Sequence, residues 1–455
     1  MWQVNDVVVI SDTHLARRRG GAGENGQELF QADEALEQFL TWVRSDVKDA
    51  LLVLNGDILD YLAIPPDEEA RAAVADLSRL TERTSDIIQD HQAVFDAMAR
   101  LAASPRHQIV ITGGNHDPEL IFPSVQRIIE ERLTTRSPKW LVQGEAFSLQ
   151  IGQAKTLIEH GDVLDAWNRI DRSALRSAVS LESRGLLSYH KYELPPGSKL
   201  VLDCLIDLKR DYPWIELLKP ETSTVPHLVR YYLPKDRLPE FKNALFHYIQ
   251  AARKHVVVQL YETFDPQQLF MATDGDLSSE EAHSPLDYFR ALWNDLSRQK
   301  TSLRKNSLIS KLRKAAVTDG FFDIDKPEAE KRGVISFLLK NGTDLLIHGH
   351  THSAKAYKVE ARTADEQKEG LYMNAGTWAR MLRLPKHDDV DDVWQEFVDD
   401  LSGGRAKGFE RLTFVRVRFD GKRTVAHLQE WKGDAPVDLA TYTFIPGHAT
   451  WAQEH

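Results

Sequence analysis

The chain has 455 residues, more than one hydrophobic core usually supports, so two structural units are expected. Apolar residues make up 42% and charged residues 27%, which excludes a disordered or fibrous chain. A formal charge of −11 with a pI near 5.9 excludes a protein that coats nucleic acid or anionic membrane by bulk charge.

From Met1 to Asp6 there is neither a basic n-region nor an apolar h-region, so no secretion signal is expected. No stretch approaches the roughly 18 to 20 continuous apolar residues of a membrane span. The lone cysteine, Cys204, can form no intramolecular disulfide and rules out Cys-rich zinc or iron–sulfur sites. A soluble, cytoplasmic protein in a reducing compartment is the expectation.

In chain order, a buried strand is expected at Val7–Ile10, then a helix whose Leu36, Phe39, Leu40 and Val43 line one face, then a strand at Leu51–Leu54. A third strand follows at Ile109–Ile111, so the pattern is α/β. Thr156–Ile158 and Leu345–Ile347 read as further central strands, and alternation over Thr413–Val417 reads as an antiparallel one. The stretch between differs: it has Pro195-Pro196, many aromatics, and helical patterns over 238–254 and 288–317. The organisation expected is a catalytic core in two parts, 1–165 and 335–455, split by a mainly helical cap over 166–334. Flexible loops are expected at 17–27, 65–69 and 361–369.

Polar motifs begin where these strands end, the place at which α/β sheets put ligands. Asp12-Thr13-His14 follows Ile10; Gly56-Asp57-Ile58-Leu59-Asp60 follows Leu54; Gly114-Asn115-His116-Asp117 follows Ile111. His160-Gly161-Asp162 follows Ile158, and His348-Gly349-His350-Thr351-His352 follows Ile347. If the chain stays extended, Asp12/His14 and His350/His352 each chelate from one face, because strand side chains repeat with period two. The Asp57 carboxylate has two oxygens and can bridge a pair of cations. Imidazole, carboxylate and amide donors without thiolate suit Mn²⁺, Fe or Zn.

Each motif taken alone has a plain structural reading, since a single DxH or GDxxD occurs by chance and a lone strand-end histidine usually satisfies the core. Their ordered recurrence after five strands outweighs that reading. Asp60 and Asp162 are expected to orient ligands, His348 to be structural, and Asn374 and Trp378 to border the pocket or form a turn. Gly21–Gly26 fits GxGxxG but does not turn directly from strand into helix, so it reads as a loop and not a dinucleotide site. Arg17, Arg18 and Arg19 lie just beyond His14, where they reach substrate phosphates or are solvated loop charge.

Together the blocks resemble the calcineurin-like metallophosphoesterases: DxH, GDxxD, GNHD, a His before Gly, and GHxH are all present. The resemblance covers roughly 1–165 and 335–380. It implies an α/β fold, a metallophosphoesterase-type β-sandwich flanked by helices (αββα), here with a large insertion. It implies that Asp12, His14, Asp57 and His352 hold one divalent metal, and that Asp57, Asn115, His160 and His350 hold another. His116, oriented by Asp117, would be the catalytic histidine. The reaction implied is hydrolysis of a phosphodiester or pyrophosphate by attack of a metal-bridging hydroxide, with Mn²⁺ the expected metal and Fe or Zn the alternatives.

The motif context is most similar to the branch of UDP-2,3-diacylglucosamine hydrolases, which also carry a helical insertion before GHxH. Two other readings stay open: a DNA or RNA nuclease, and a non-catalytic metal-bound interaction module. For the first, the basic run Arg298, Lys300, Arg304, Lys305, Lys311, Arg313 and Lys314 would contact nucleic acid or anionic lipid through 298–314. Leu296, Leu303, Ile309 and Leu312 would back it with an apolar face.

Overall fold

A computed structural model of the chain describes residues 2–18, 29–63, 77–134, 138–144, 146–165, 168–186, 211–219, 221–233, 305–318, 320–328, 342–362, 367–446 and 450–454, with a few single positions between. After a short strand Trp2–Val4 (β1), the Val/Ile run Asp6–Ile10 (β2) is buried at every position. A strand with no polar face must be covered on both sides. Helix Asp33–Asp46 (α1) follows and buries Leu36, Phe39, Leu40 and Val43, as their spacing predicts. Asp33 and Glu34 in its first turn and Arg44 in its last complement the helix dipole.

Strand Ala50–Asn55 (β3) is followed by helices Leu77–Asp90 (α2) and Gln92–Ala102 (α3), strand Gln108–Thr112 (β4), helix Pro123–Leu133 (α4) and strand Lys139–Leu141 (β5). Then come Phe147–Ile151 (β6), Ala154–Ile158 (β7), helix Arg172–Glu182 (α5), strand Leu218–Lys219 (β8), and helices Glu221–Tyr232 (α6) and Lys305–Thr318 (α7). Leu345–His348 (β9), Lys355–Arg362 (β10), Gln367–Asn374 (β11), Leu382–Arg383 (β12) and helix Asp391–Ser402 (α8) lead to the final strands. These are Thr413–Phe419 (β13), Thr424–Trp431 (β14), Pro436–Ile445 (β15) and Thr450–Glu454 (β16).

Two large sheets result. An eight-stranded sheet has the order β16-β15-β14-β13-β2-β3-β4-β5, parallel from β2 to β5 and antiparallel beyond, and a six-stranded sheet has the order β1-β6-β7-β9-β11-β10. Period-two alternation sorts the strands' side chains. Val7, Val9, Leu51 and Val53 face inward against Leu149, Ile158, Ile347 and Met373 of the second sheet. Val8, Ile10, Leu52 and Leu54 face outward against Leu36, Phe39, Leu80 and Val94 of the helices. Each such side chain contributes about 1.5–3 kcal/mol on full burial. The architecture is α/β, a two-sheet sandwich flanked by helices.

Within 166–334 the described helices and strands are α5, a short 3-10 turn at Pro213–Glu216, β8, α6 and α7. The expected helix over 238–254 lies outside the described residues. β8 pairs in parallel with β12, and Trp214, Leu218, Leu228 and Leu312 share a separate apolar cluster with Leu382, Trp394 and Val398. In α7, Ile309 and Leu312 are buried. Its basic residues partly serve the fold: Lys305 pairs with Asp399 at 2.5 Å and Arg313 with Asp391 at 2.9 Å, both on α8. Leu296, Arg298, Lys300, Leu303 and Arg304 lie outside the described residues, as do 19–28, which hold the Gly-rich stretch, and 65–69.

The loop expected at 361–369 is shorter than the sequence indicates. Residues 361–362 and 367–369 belong to β10 and β11, which pair through Glu360↔Glu369 and Arg362↔Gln367. Cross-strand pairing overrides the polar composition there. Among the described residues, no helix is long and apolar enough to cross a membrane.

Candidate metal centre

Backbone hydrogen bonds knit the strand-end loops together before any side chain is considered. Asp12 N–H donates to Gly56 O (3.1 Å), His14 N–H to Asp57 O (3.0 Å), Gly349 N–H to His160 O (3.0 Å), and Trp378 N–H to Asp12 O (3.1 Å). The carboxylates add to this, with His350 N–H donating to Asp12 Oδ2 (2.9 Å) and His116 N–H to Asp57 Oδ1 (2.7 Å).

Extended geometry is not what brings the paired residues to one side, and here the period-two expectation is corrected. Asp12 (φ 55°), His14 (52°), Asp57 (51°), His350 (68°) and His352 (60°) all adopt left-handed backbone. They are five of the seven non-glycine residues with positive φ among the described residues. Left-handed backbone costs a non-glycine residue about 1–2 kcal/mol, so the surrounding sandwich must hold these turns in place.

The turns gather six of the seven residues expected as ligands into two groups: Asp12, His14 and His352 in one, and Asp57, His160 and His350 in the other. In the first, His14 Nε2 lies 2.9 Å from His352 Nε2, and Asp12 Oδ1 lies 3.4 Å from His352 and 4.0 Å from His14. In the second, His160 Nε2 lies 3.1 Å from Asp57 Oδ2. Asn115 is buried, and its Oδ1 has no hydrogen-bond partner.

The other ring nitrogens settle which atoms point inward as lone pairs. His14 Nδ1 donates to Asp60 Oδ2 (3.1 Å), and His160 Nδ1 donates to Asn55 O (2.9 Å), so in the neutral rings both Nε2 atoms are acceptors. Asp12 Oδ1, Asn115 Oδ1, His160 Nε2 and His350 Nδ1 are all buried without a hydrogen-bond partner. Buried polar atoms are normally paired, and lone pairs turned toward each other are stabilised by a shared cation. The donor set fits divalent metal ions.

Electrostatics favour the ligand forms. Burial works against the Asp12 carboxylate, but His352 and His160 outweigh it and hold the pKa at about 2. Asp57 is likewise held well below the ordinary carboxylate range, against burial, by His160, His116 and His14. For His352, burial and then the Lys219 charge bring the pKa down to about 4, so it is a neutral donor. His160 moves the other way: burial opposes its cation, yet Asp57, Asp12 and Asp162 push it up to about 10. A metal ion in the same place competes with that proton.

The expected partnership of His116 with Asp117 is corrected. His116 Nδ1 donates to Asp60 Oδ1 (3.1 Å), while Asp60 Oδ2 holds His14, so one carboxylate aims both rings. Asp60 in turn accepts from the N–H groups of Leu62 (2.9 Å) and Ala63 (3.0 Å). Asp117 accepts from the N–H groups of Gly114 (2.7 Å), Ile58 (2.8 Å) and Leu59 (3.3 Å), and so joins the loops after β3 and β4. Burial and the charge of Asp57 raise the Asp117 pKa to about 6.

Of the remaining candidates, His348 donates to Glu159 (3.0 Å) beneath the centre, and Asp162 pairs with Arg172 at 3.0 Å. Asn374 Nδ2 donates to Gly349 O (2.7 Å) and so shapes the His350 turn. Trp378 is wholly buried, 5.0 Å from the Phe39 ring. The arginines after His14 lead away from the centre. Arg17 pairs with Asp86 at 3.3 Å and Arg18 with Asp33 at 2.6 Å, on α2 and α1, and Arg19 lies outside the described residues. Acidic helix surface beside the loop, invisible in local sequence, accounts for this.

Two residues escaped the motif reading. Asp165 accepts from His350 Nε2 (3.1 Å), and Asn55 carries the carbonyl that fixes His160 while its amide donates to Glu159 O (2.9 Å). The only trace of them in the sequence is adjacency, Asn55 just before Gly56-Asp57 and Asp165 three residues after Asp162.

Two motif glycines are required by close approach. A Cβ on Gly114 would lie 2.6 Å from the Asp57 backbone nitrogen and 2.8 Å from His160 Nε2, and one on Gly349 would lie 2.5 Å from Asp12 Oδ2. Gly114→Ala is therefore expected to lower affinity for added Mn²⁺ at least about tenfold while leaving the far-ultraviolet circular dichroism unchanged. Titration calorimetry checks this, and wild-type affinity would show that the loop yields.

A family model described as calcineurin-like phosphoesterase matches residues 6–215. The match ends before β9, so His350 and His352 join the group by geometry alone. No curated protein matches the chain. Among solved structures, a conserved protein of Streptococcus pneumoniae TIGR4 described as a predicted phosphoesterase aligns over 97% of both chains, at 8% identity and a TM-score of 0.27. That likeness is too slight to bear on the assignment. Residues 6–215, which match the family model, and the motif residues that meet at one end of the sandwich are thus similar to the calcineurin-like phosphoesterases.

Proposed function

We propose that the protein is a two-metal phosphoesterase that hydrolyses a phosphodiester or pyrophosphate bond. The observation that carries this reading is the pair of His/carboxylate groups whose buried lone pairs lack hydrogen-bond partners. Asp12, His14, Asp57 and His352 would hold one cation, and Asp57, Asn115, His160 and His350 the other. The donor chemistry favours Mn²⁺, with Fe or Zn as alternatives. Such a pair of cations, when bound, makes a nucleophile from water at neutral pH and neutralises the phosphoryl oxygens.

The chain's own residues supply the rest. The His116 side chain is 29% exposed where the Asp12 and His14 side chains are 1% or less, so it faces the crevice mouth. With Nδ1–H committed to Asp60, Nε2 carries a proton to the leaving oxygen in the imidazolium form of the ring, which the Asp60 carboxylate stabilises.

Protein loaded with Mn²⁺ is expected to hydrolyse bis-p-nitrophenyl phosphate. Single- and double-stranded DNA and UDP-sugar lipids, offered next, separate a nuclease from a nucleotide-lipid pyrophosphatase. Failure to hydrolyse any of them would favour a metal-bound interaction module. Metal removal gives a second readout, since a cation that binds only the folded state stabilises it by about 2.7 kcal/mol at a hundredfold excess over Kd. Chelation should therefore lower the melting temperature by several degrees, and an unchanged value would count against tight binding.

A further inference from the structure

Helix α2 grips the loop that aims His116 from behind, through a residue that no motif announces. Asp60 Oδ1 is the oxygen that receives His116 Nδ1 (3.1 Å), and it also accepts from Leu62 N–H (2.9 Å) and Ala63 N–H (3.0 Å). Leu62 N–H belongs to the peptide unit whose carbonyl is that of Tyr61. This carbonyl accepts from Arg83 Nη1 at 3.1 Å. A single planar amide therefore joins the Arg83 guanidinium to the carboxylate oxygen that aims the His116 ring.

Further contacts keep the amide in place. Tyr61 N–H donates to His116 O (3.1 Å), so the loops after β3 and β4 are tied at the same residue. Thr84 Oγ1 donates to Leu80 O (2.7 Å) and accepts from the Tyr61 hydroxyl (2.8 Å). Neighbouring residues of α2 thus hold Tyr61 at its backbone and at the tip of its ring. Arg83 is only 3% exposed. Arginine is rarely buried to this degree, because desolvating the cation costs several kcal/mol, and an apolar side chain of similar volume would fill the space without that cost. What the cation adds is polarisation. Hydrogen bonds in series strengthen one another where water is excluded, so a full charge at the carbonyl end of the amide makes Leu62 N–H a stronger donor to Asp60. Glu119, buried in the turn after Asp117, also feels the Arg83 charge. A purely structural role, as counter-ion to Glu119, is therefore the rival that an experiment must separate.

We propose that Arg83 is a positioning residue for protonation of the leaving oxygen: through the Tyr61–Leu62 amide it fixes the Asp60 carboxylate, and with it the ring of His116. The inference rests on the two-metal reading, with His116 as the acid, and deepens it by extending the support of that acid to a helix outside every motif. Arg83 holds the amide, the amide holds Asp60, and Asp60 holds the imidazolium whose Nε2 proton passes to the leaving oxygen as the bond to phosphorus breaks.

The test uses full-length protein at saturating Mn²⁺ with two substrates, bis-p-nitrophenyl phosphate and diphenyl phosphate. Phenolate is the poorer leaving group of the two and depends more on the acid. Arg83→Met is expected to lower kcat about tenfold on the first substrate and further on the second, at the lower end of the loss usual for outer-shell partners, with KM and metal content at wild-type values. Arg83→Lys, which keeps a charged donor, should recover most of the loss. In the His116→Asn background Arg83→Met should cost at most about twofold more, because the two changes remove one function. The counter-ion role gives other results: equal losses on both substrates, and a loss that multiplies with that of His116→Asn. Either of these, or an unchanged kcat, overturns the role of Arg83 alone. If Arg83→Met fails to fold, Arg83→Gln is compared with Arg83→Lys in the same way, and equal kcat in the two overturns it. Wild-type protein that hydrolyses neither substrate overturns the two-metal reading and this inference with it.

Discussion

His116→Asn is expected to lower kcat on bis-p-nitrophenyl phosphate by about 10²–10⁴-fold while both metals stay bound. The reason lies in how the ring is held. Its Nδ1 is committed to Asp60, which also receives His14, so the variant loses a proton donor without disturbing Asp57, Asn115 or His160. The basic limb of the pH–rate profile should flatten as well, since that limb reports the acid that protonates the leaving oxygen. Geometry alone leaves a rival, because His14, Asp60 and His116 also lie within ligand reach of one another. Metal analysis discriminates: loss of an ion from the variant would make His116 a ligand.

Asp57→Asn should act on both cations at once. Asp57 faces His160 at 3.1 Å and accepts from His116 N–H through its carboxylate, and its carbonyl accepts from His14 N–H of the other group at 3.0 Å. On the two-metal reading this carboxylate is shared, and removing it is expected to cut metal content to below one ion per chain and hydrolysis to background. The metal-free variant carries a separate signature. In the wild-type protein Asp57 is the largest of the influences pushing the His160 pKa up to about 10, so without it the value must fall. A histidine titration followed by nuclear magnetic resonance reads that shift, and two retained ions would refute the bridging role.

Much of the fold could be read in the sequence because its strands are doubly buried. Runs such as Val7–Ile10 and Leu345–Ile347 have no polar face and admit few other readings, and the α1 spacing defines its buried stripe. The candidate site was legible for a related reason: glycine, histidine and carboxylate blocks fall at the ends of those runs, and sheet topology sends the ends to one crevice. What escaped is what depends on contacts between distant segments. Asp60 and not Asp117 receives His116, because the partner is chosen by two loops meeting in space. Arg17 and Arg18 turn to acids on neighbouring helices. Left-handed backbone at Asp12 and His14 could not be read from residue type, because Asp and His, though enriched there among non-glycine residues, adopt it only in a minority of positions.

The strand order also governs how such a chain can be made. β2 lies between β3 and β13, and β9 lies between β7 and β11, so each sheet needs a strand from late in the sequence. During synthesis from the N-terminus, the wholly buried run at Val7–Ile10 waits with an open edge until Thr413–Phe419 emerges. Such unpaired apolar edges recruit other chains, which makes the growing polypeptide dependent on chaperones or on rapid completion. His350 and His352 likewise arrive only after the insertion has been made. On the two-metal reading, ion capture is then a late step of biogenesis, and a ribosome stalled between His160 and His350 would carry five of the seven expected ligands.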